Sequence, residues 1–378
     1  MSGIRKRVVL DSSPNIILVV SNLRDMDWIR ETLNYLKKEH KTLLIGLYPD
    51  KPAWFDELDC SIVKMNLVFE SYISIPKIFF IMRQSLKANN SNIIFAHGFY
   101  ASLVSVLCGK TLARTRVIST RHHGAGHYKS RRMRLLDRII SAFSSQNIAI
   151  SDLTEHLLLS EGTHASKIFQ LSNSINIHNF MGKAKISKVE MRKILGCEST
   201  DFVIAMVSRF VEWKGVEYCI AAFSEVSREI PNAKLVFLNS YGRTHQIEKA
   251  LAKLDSSKVI FATQVEDMHS FYHSIDVLVH IPIRPSSEPF GLVYLEALAS
   301  GVPSIFTRSG VLLEMTDPGR HSYLVDYESS SEVAEAIFSA YRAEFKPRIG
   351  LEEMMKYSLS EYICNFGKLL KDQISMLN

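Results

Sequence analysis

Short apolar runs recur along the chain, and each is followed by a segment whose apolar positions lie three or four residues apart. Residues 16–20 are the first run; Ile29, Leu33 and Leu36 follow at helical spacing, and residues 42–47 return to a strand pattern. Further strands are predicted at 62–67, 93–97, 117–120, 148–151 and 168–171. Unbroken apolar runs that alternate with helices predict a parallel sheet covered on both faces. In such a sheet, substrates lie beyond the carboxyl ends of the strands.

The pattern lapses at residues 175–188, which gather Asn, Gly, Lys and Ser and suit an interdomain segment. It restarts at 202–207, followed by a helix with an inward stripe of Val216, Cys219, Ile220, Phe223 and Val226. Strands at 234–238, 259–261, 277–281 and 303–306 then alternate with helices near 247–254, 268–274 and 292–300. Residues 324–325 could end this second core, before a helix at 331–341. The chain has 378 residues, more than one core usually serves. The expected fold class is α/β, with two Rossmann-like domains facing across a cleft. They are residues 1–180 and residues 181–350, and a C-terminal helical segment, 351–378, can pack back on the first domain.

Composition supports order throughout, with 47% hydrophobic and 22% charged residues and no low-complexity tract. The longest apolar runs, such as 277–283, fall short of the roughly 18 to 20 residues needed to cross a bilayer. Basic residues precede an apolar stretch at the N-terminus, but Asp11 and Pro14 interrupt it and no small-residue cleavage site follows cleanly. A buried strand is therefore expected there rather than a secretory signal, and with it a cytoplasmic location. Cys60, Cys108, Cys197, Cys219 and Cys364 are odd in number, widely spread and without a CxxC pair. That argues against both a disulfide framework and a thiolate zinc cluster.

The net charge of +6 conceals an asymmetry. Residues 1–180 carry 23 Lys and Arg against 14 Asp and Glu, whereas residues 181–378 carry 22 against 25. The basic first half could be drawn to an anionic membrane surface, a phosphate-bearing acceptor or nucleic acid. No zinc-finger, single-strand stacking or helix-turn-helix pattern accompanies the charge, so nucleic-acid binding stands only as the nonenzymatic alternative.

Residues 287–305 read SEPFGLVYLEALASGVPSI. Glu288 stands just before a helical segment and Glu296 within it, where carboxylates suit accepting hydrogen bonds from sugar hydroxyls. The same residues could be ordinary helix charges. Residues 206–215 read MVSRFVEWKG, with Arg209 leaving an apolar strand and Lys214 at the next helix entrance. A guanidinium, an ammonium and helix-terminal amides can surround a diphosphate, although a solvated loop would look alike. His97, His122, His123 and His127 fall near strand ends, and no adjacent Asp, Glu or Cys completes a metal signature. Neutral imidazole there could partner a hydroxyl or a leaving phosphate.

Taken together, these motifs resemble the retaining nucleotide-sugar glycosyltransferases of family 4, which have the GT-B fold. The E-x7-E motif is Glu288 through Glu296, written EPFGLVYLE and followed by ASGVP; SRFVEWKG is the earlier strand-loop motif, and Asn173 in LSNSI takes the place of the Asn in the family's PNG segment. The resemblance spans both domains. It implies that Arg209 and Lys214 neutralise the donor diphosphate in place of a divalent metal, that Glu288 binds donor-sugar hydroxyls and Glu296 the ribose, and that the Ser309–Gly310 turn directs amides at the phosphate or sugar. His123, followed by Gly124, fits the family's active-site histidine, with His122 one residue away. Two departures stand out: the family's glycine-rich loop after the first strand is replaced by Ser21, Asn22, Leu23, Arg24 and Asp25, and the Gly of the PNG segment is Ser174.

The resemblance further implies transfer with retention of anomeric configuration by front-face attack, from a UDP- or GDP-hexose or N-acetylhexosamine, with no other cofactor and no essential metal. Two basic faces suggest how an acceptor is reached. Residues 74–87 set Ile75, Ile78, Phe79, Met82 and Leu86 against Lys77, Arg83 and Lys87, and Arg131, Arg134 and Arg138 lie opposite Met133, Leu136 and Ile140. Such faces could dock the enzyme on the inner face of the cytoplasmic membrane, or could be core packing with solvated arginines. A glycan or polyprenyl-diphosphate-linked oligosaccharide acceptor, in surface polysaccharide or lipopolysaccharide synthesis, follows from that reading, with a soluble metabolite acceptor as the alternative. Oligomeric state has no signature in the sequence.

Overall fold

The computed structural model describes residues 15–21, 27–47, 63–66, 74–87, 92–124, 131–242, 244–262, 265, 267–344 and 351–377. The two doubly wound α/β domains expected from the sequence are present. The first contains β1 (Asn15–Val20), β2 (Thr42–Gly46), β3 (Val63–Asn66), β4 (Asn92–His97), β5 (Thr115–Arg121), β6 (Gln146–Ala149) and β7 (Ile168–Gln170). All pairings are parallel, in the order β3-β2-β1-β4-β5-β6-β7. The second contains β8 (Phe202–Val207), β9 (Ala233–Leu238), β10 (Val259–Ala262), β11 (Val277–His280), β12 (Ser304–Phe306) and β13 (Tyr323–Leu324), in the order β10-β9-β8-β11-β12-β13.

The central strands are buried on both faces, which explains their unbroken apolar sequences. In β1, Ile16, Leu18 and Val20 enter one core cluster while Ile17 and Val19 enter the other. The strand order reverses between β1 and β4 in the first sheet and between β8 and β11 in the second. Crevices open outside the carboxyl ends of strands at such points, and they are where ligands bind in doubly wound folds.

Helix ends follow local chemistry. Ser187 accepts from the Glu190 amide at one end of the helix Lys188–Leu195, and Gly196 at φ +81° terminates the other. The helix expected at 247–254 starts earlier, at His245, because the Thr244 hydroxyl caps it by accepting from the Ile247 amide, and it ends at Leu251.

The chain passes between the domains twice, and the two passages lie side by side: the Ile175 amide donates to the Tyr357 carbonyl at 3.1 Å. Beyond this point the helix Leu359–Ser375 packs on the first domain. Tyr362, Phe366, Leu369 and Leu370 join Trp28, Leu33 and Leu36 in one core. Each of these four buried side chains contributes roughly 2 kcal/mol. Arg116 adds a hydrogen bond to Gln373 at 2.8 Å, and Gly367 lies so close to Tyr35 that a Cβ there would sit 2.7 Å from its hydroxyl.

Candidate functional site at the carboxyl edges of the two sheets

The switch point of the second sheet brings together residues that are far apart in sequence. Beyond β8 the chain runs through Ser208 and Arg209 into a 3-10 turn, Glu212–Lys214, and then into the helix Val216–Glu229. Gly215 joins the two at φ +70°, and a Cβ there would lie 2.1 Å from the Ile281 carbonyl oxygen. Only glycine permits this approach, which seats Lys214 beside the end of β11. The Lys214 ammonium then forms an ion pair with Glu288. His280, the last residue of β11 and 1% exposed, lies with Nε2 3.1 Å from the same carboxylate oxygen.

Burial alone would raise the Glu288 carboxyl, but Lys214 and His280 outweigh it and hold the group down at about 2. Burial lowers His280 from its ordinary value. At neutral pH the neutral imidazole thus donates its Nε2 hydrogen to an ionised Glu288. The surrounding turn is drawn tight: a Cβ on Gly291 would meet the Tyr294 ring at 2.6 Å, and one on Gly310 would meet the Phe290 carbonyl oxygen at 2.3 Å and Glu288 Cγ at 3.0 Å. Ser309, fully buried, shares a 2.5 Å hydrogen bond with the Tyr294 hydroxyl. Glu288, Lys214, Ser309 and Gly310 are therefore neighbours. Arg209 is half-buried at the end of β8, and among the described residues no hydrogen bond or ion pair engages its side chain.

Glu296 has a different environment. It sits midway along the helix Leu292–Ser300 and accepts a 2.8 Å hydrogen bond from the Tyr272 hydroxyl. Burial raises its carboxyl to about 7; the Tyr272 bond opposes this, and the charge of Asp27 in the first domain adds to it.

The first domain contributes the ends of β4 and β5. His97 Nδ1 lies 3.2 Å from His122 Nε2, and Trp28 stacks on His122 with ring centroids 5.9 Å apart. Burial, with the neighbouring histidine second, holds His97 well below its ordinary value and His122 at about 4, so both rings are neutral. His123 belongs to a separate network. Its Nε2 lies 2.7 Å from Asp137, which also pairs with Arg121 at 3.0 Å, and Arg121 donates to both oxygens of Glu161 at 2.8 Å. His127 and the loop residues Asn22, Leu23, Arg24 and Asp25 lie outside the described residues, as does Cys60. Ser21, just past β1, accepts from the Ala101 amide in the first turn of the helix Phe99–Gly109 at 2.9 Å.

The two edges meet. A Cβ on Gly124 would lie 2.9 Å from the Ser286 carbonyl oxygen, the Ser151 hydroxyl donates to the Pro289 carbonyl at 2.6 Å, and the Asp152 amide donates to Glu314 at 2.9 Å. His280, Tyr272, Asp137 and Ser151 were not singled out in the sequence. The available signals were a histidine closing an apolar strand and, for Asp137, an acid on the inward stripe of a basic helix. Among the described residues, no group of three or more His, Cys, Asp or Glu side chains is placed to hold a metal ion.

Comparisons with known proteins agree with this architecture. Residues 187–357 match the family model for glycosyl transferases group 1. The chain is 32% identical over 177 residues to an uncharacterized glycosyltransferase of Methanocaldococcus jannaschii, covering 46% of this chain and 44% of that protein. It is 27% identical over 210 residues to the capsular polysaccharide biosynthesis glycosyltransferase CapM of Staphylococcus aureus, 54% of each. The chain thus spans about half the length of these curated relatives. Among solved structures, Anabaena HepE in complex with UDP and glucose superposes with a TM-score of 0.76 at 17% identity, over 95% of this chain and 100% of that one. The likeness is one of fold, and the fold is GT-B.

Proposed function

We propose that the chain is a family 4 glycosyltransferase that transfers a hexose or N-acetylhexosamine, with retention, from a UDP- or GDP-sugar to a glycan or polyprenyl-diphosphate-linked acceptor in surface polysaccharide or lipopolysaccharide synthesis. The observation that carries this reading is the Lys214–Glu288–His280 cluster, set at the switch point of the second sheet with the first domain closed against it. The group 1 match over the same segment and the capsular relative support it.

On this reading Glu288 accepts hydrogen bonds from donor-sugar hydroxyls. It is ionised throughout the neutral range and oriented by two donors, which suits hydroxyl recognition better than covalent attack. Arg209, whose side chain has no hydrogen bond or ion pair among the described residues, grips the diphosphate. Lys214 shares its three hydrogens between Glu288 and the phosphate, and the Ser309–Gly310 turn approaches the same region. Charge grows on the departing diphosphate as the glycosidic bond breaks, so both cations favour the transition state over the ground state and take the place of a divalent metal. Glu296 receives the ribose hydroxyls. His123, just past β5 with its Nε2 held by Asp137, is the first-domain residue that on this reading contacts the sugar near the reaction centre.

The membrane part of the reading rests on the helix Arg131–Phe143. Its only acid, Asp137, is buried, while Leu135 is 59% exposed and Phe143 50% exposed beside Arg134 and Arg138. Phe80, on a helix that packs against the same neighbour, is 58% exposed. Exposed apolar side chains on a helix that carries arginines, with the Lys110 ammonium 4.8 Å over the Phe143 ring, fit the headgroup region of an anionic bilayer, so a peripheral position on the inner face of the cytoplasmic membrane is part of the proposal. Among the described residues, no helix is long and apolar enough to cross a membrane.

The test is a thermal-shift screen of nucleotide sugars in EDTA, followed by transfer to lipid-linked acceptors and NMR of the product's anomeric configuration. Stabilisation by one nucleotide sugar and an axial-for-axial product are expected. Absence of any nucleotide-sugar binding refutes the donor site, and an inverted product refutes the mechanism.

A further inference from the structure

The loop that carries Glu288 is held from two sides. On its own side, the Val311 amide donates to the Phe290 carbonyl at 2.8 Å. The preceding carbonyl, that of Pro289, is held by the opposite domain, where the Ser151 hydroxyl donates to it at 2.6 Å. Ser151 lies just past β6 and is fully buried. Its hydroxyl oxygen also accepts from the Thr154 amide at 3.2 Å as the N-cap of the helix Asp152–Ser160; of the two acceptors within reach of its hydrogen, the Pro289 carbonyl at 2.6 Å is much nearer than the Thr154 hydroxyl at 3.3 Å. Two further contacts line up with it. The Asp152 amide donates to Glu314, which also accepts from the Tyr357 hydroxyl at 3.3 Å. Gly124 is pressed so closely on Ser286 that any side chain at 124 would collide with a backbone carbonyl.

We propose that Ser151 is a positioning residue: its hydroxyl draws the Pro289 carbonyl into place as the domains close and thereby sets the orientation of Glu288, so the donor-sugar carboxylate is completed only in the closed enzyme. This inference rests on the donor-binding reading given above. Capping alone does not require a serine, because Asp caps as well as Ser does. What Asp lacks, once ionised, is a hydrogen to give to Pro289.

Serine chemistry therefore separates the two roles. Ser151→Asp keeps the cap and removes the interdomain donor, while Ser151→Thr keeps both. Each variant is compared with the wild type in the full chain by melting temperature, by affinity for UDP and GDP, by kcat and KM with the nucleotide sugar that stabilises the wild type most, and by small-angle X-ray scattering with and without that nucleotide sugar. Ser151→Asp buries a carboxylate against a carbonyl oxygen and is expected to melt below the wild type; below that melt it should bind the free nucleotide within about twofold, because on the donor reading the nucleotide contacts lie in the second domain, yet lose roughly tenfold or more in kcat. Its radius of gyration should also fail to contract with donor. Ser151→Thr should restore kcat to within about threefold.

Wild-type kcat and contraction in Ser151→Asp overturn the proposal, and so does a loss of kcat in Ser151→Asp accompanied by an equal loss in Ser151→Thr. If the wild type binds no nucleotide sugar, the donor reading fails. The latch is then read from scattering of the ligand-free chains: a more expanded Ser151→Asp supports it and identical profiles overturn it.

Discussion

Replacing Glu296 by Gln should make the ligand-free protein more stable and a poorer nucleotide binder. The reasoning begins with the raised carboxyl. An ordinary Glu near 4.5 is lifted here to about 7 because burial and the charge of Asp27 outweigh the single bond from Tyr272. One unit corresponds to about 1.4 kcal/mol, so the ionised side chain destabilises the fold by on the order of 3 kcal/mol at pH 8. The sign follows from proton linkage. The folded chain holds this proton more tightly than the unfolded chain, so the stability linked to it is fully present below about pH 4.5 and is lost as pH rises to about 7.

The amide of Gln still accepts from Tyr272 but carries no charge. For a unit of this size a gain of 3 kcal/mol corresponds to roughly 6 to 12 °C in the melting transition that includes the second domain. At pH 5 the folded wild type is already largely protonated and the gain should shrink to below about 1 kcal/mol. Differential scanning calorimetry of both proteins at pH 8 and pH 5 reads this directly. Titration calorimetry with UDP and GDP should show the opposite ordering, a loss of roughly tenfold in the wild type's preferred nucleotide, from exchanging charged for neutral hydrogen bonds. Equal melting at pH 8, or the same gain at both pH values, refutes the electrostatic argument. Unchanged nucleotide affinity refutes the assignment of Glu296 to the ribose.

Glu288→Gln should act in the other direction on stability. Its carboxyl lies at about 2, so its contribution is present above about pH 4.5 and lost as pH falls toward 2; urea melts should show a loss of about 3 kcal/mol at pH 7 that narrows sharply by pH 3. Gly310→Ala places a methyl 2.3 Å from the Phe290 carbonyl at φ +57°, and should cost more than about 1 kcal/mol in denaturant melts while removing the thermal shift given by the donor. Asp137→Asn leaves Arg121 short of a buried partner and should cost about 3 to 5 kcal/mol, read as a fall in the melting temperature.

The strands were legible because both faces of each central strand are buried, so a short apolar run such as ILVV in β1 carries its own evidence. The E-x7-E and SRFVEWKG segments were legible as motifs because each is contiguous in the chain, even though Glu288 and Glu296 end in different surroundings. The contacts that give these residues their properties were not. Lys214 reaches Glu288 across 74 positions and Ser151 reaches Pro289 across 138, and no period in the sequence joins them. Asp137 stood within reach of sequence reasoning, since it falls between Met133 and Ile140 on the inward stripe of its helix. A buried acid in a helix otherwise rich in arginine implies a buried partner, and His123 and Arg121 supply it. The same helix also turns Leu135 and Phe143 outward, which a two-sided division into core and basic faces does not anticipate.

Lys214 and Arg209 stand in different states before any ligand arrives, and that difference orders the roles proposed for them. Lys214 is held by Glu288, so its position is set in advance but part of its field is already balanced by a carboxylate. Arg209 has no such counter-charge among the described residues, so its full charge is available to the first anion that enters. On the donor reading proposed above, a diphosphate is captured chiefly by Arg209, and Lys214 is drawn toward it as charge accumulates on the leaving group. Any movement of Lys214 loosens one of the two donors on Glu288, leaving His280 and the sugar hydroxyls to orient the carboxylate. The Ser151 contact matters most at that moment, because it restrains the backbone next to Glu288 as its strongest side-chain partner is drawn away. If both proposals hold, domain closure and leaving-group departure are coupled through a single carboxylate, and the coupling runs through the contact of Ser151 with Pro289.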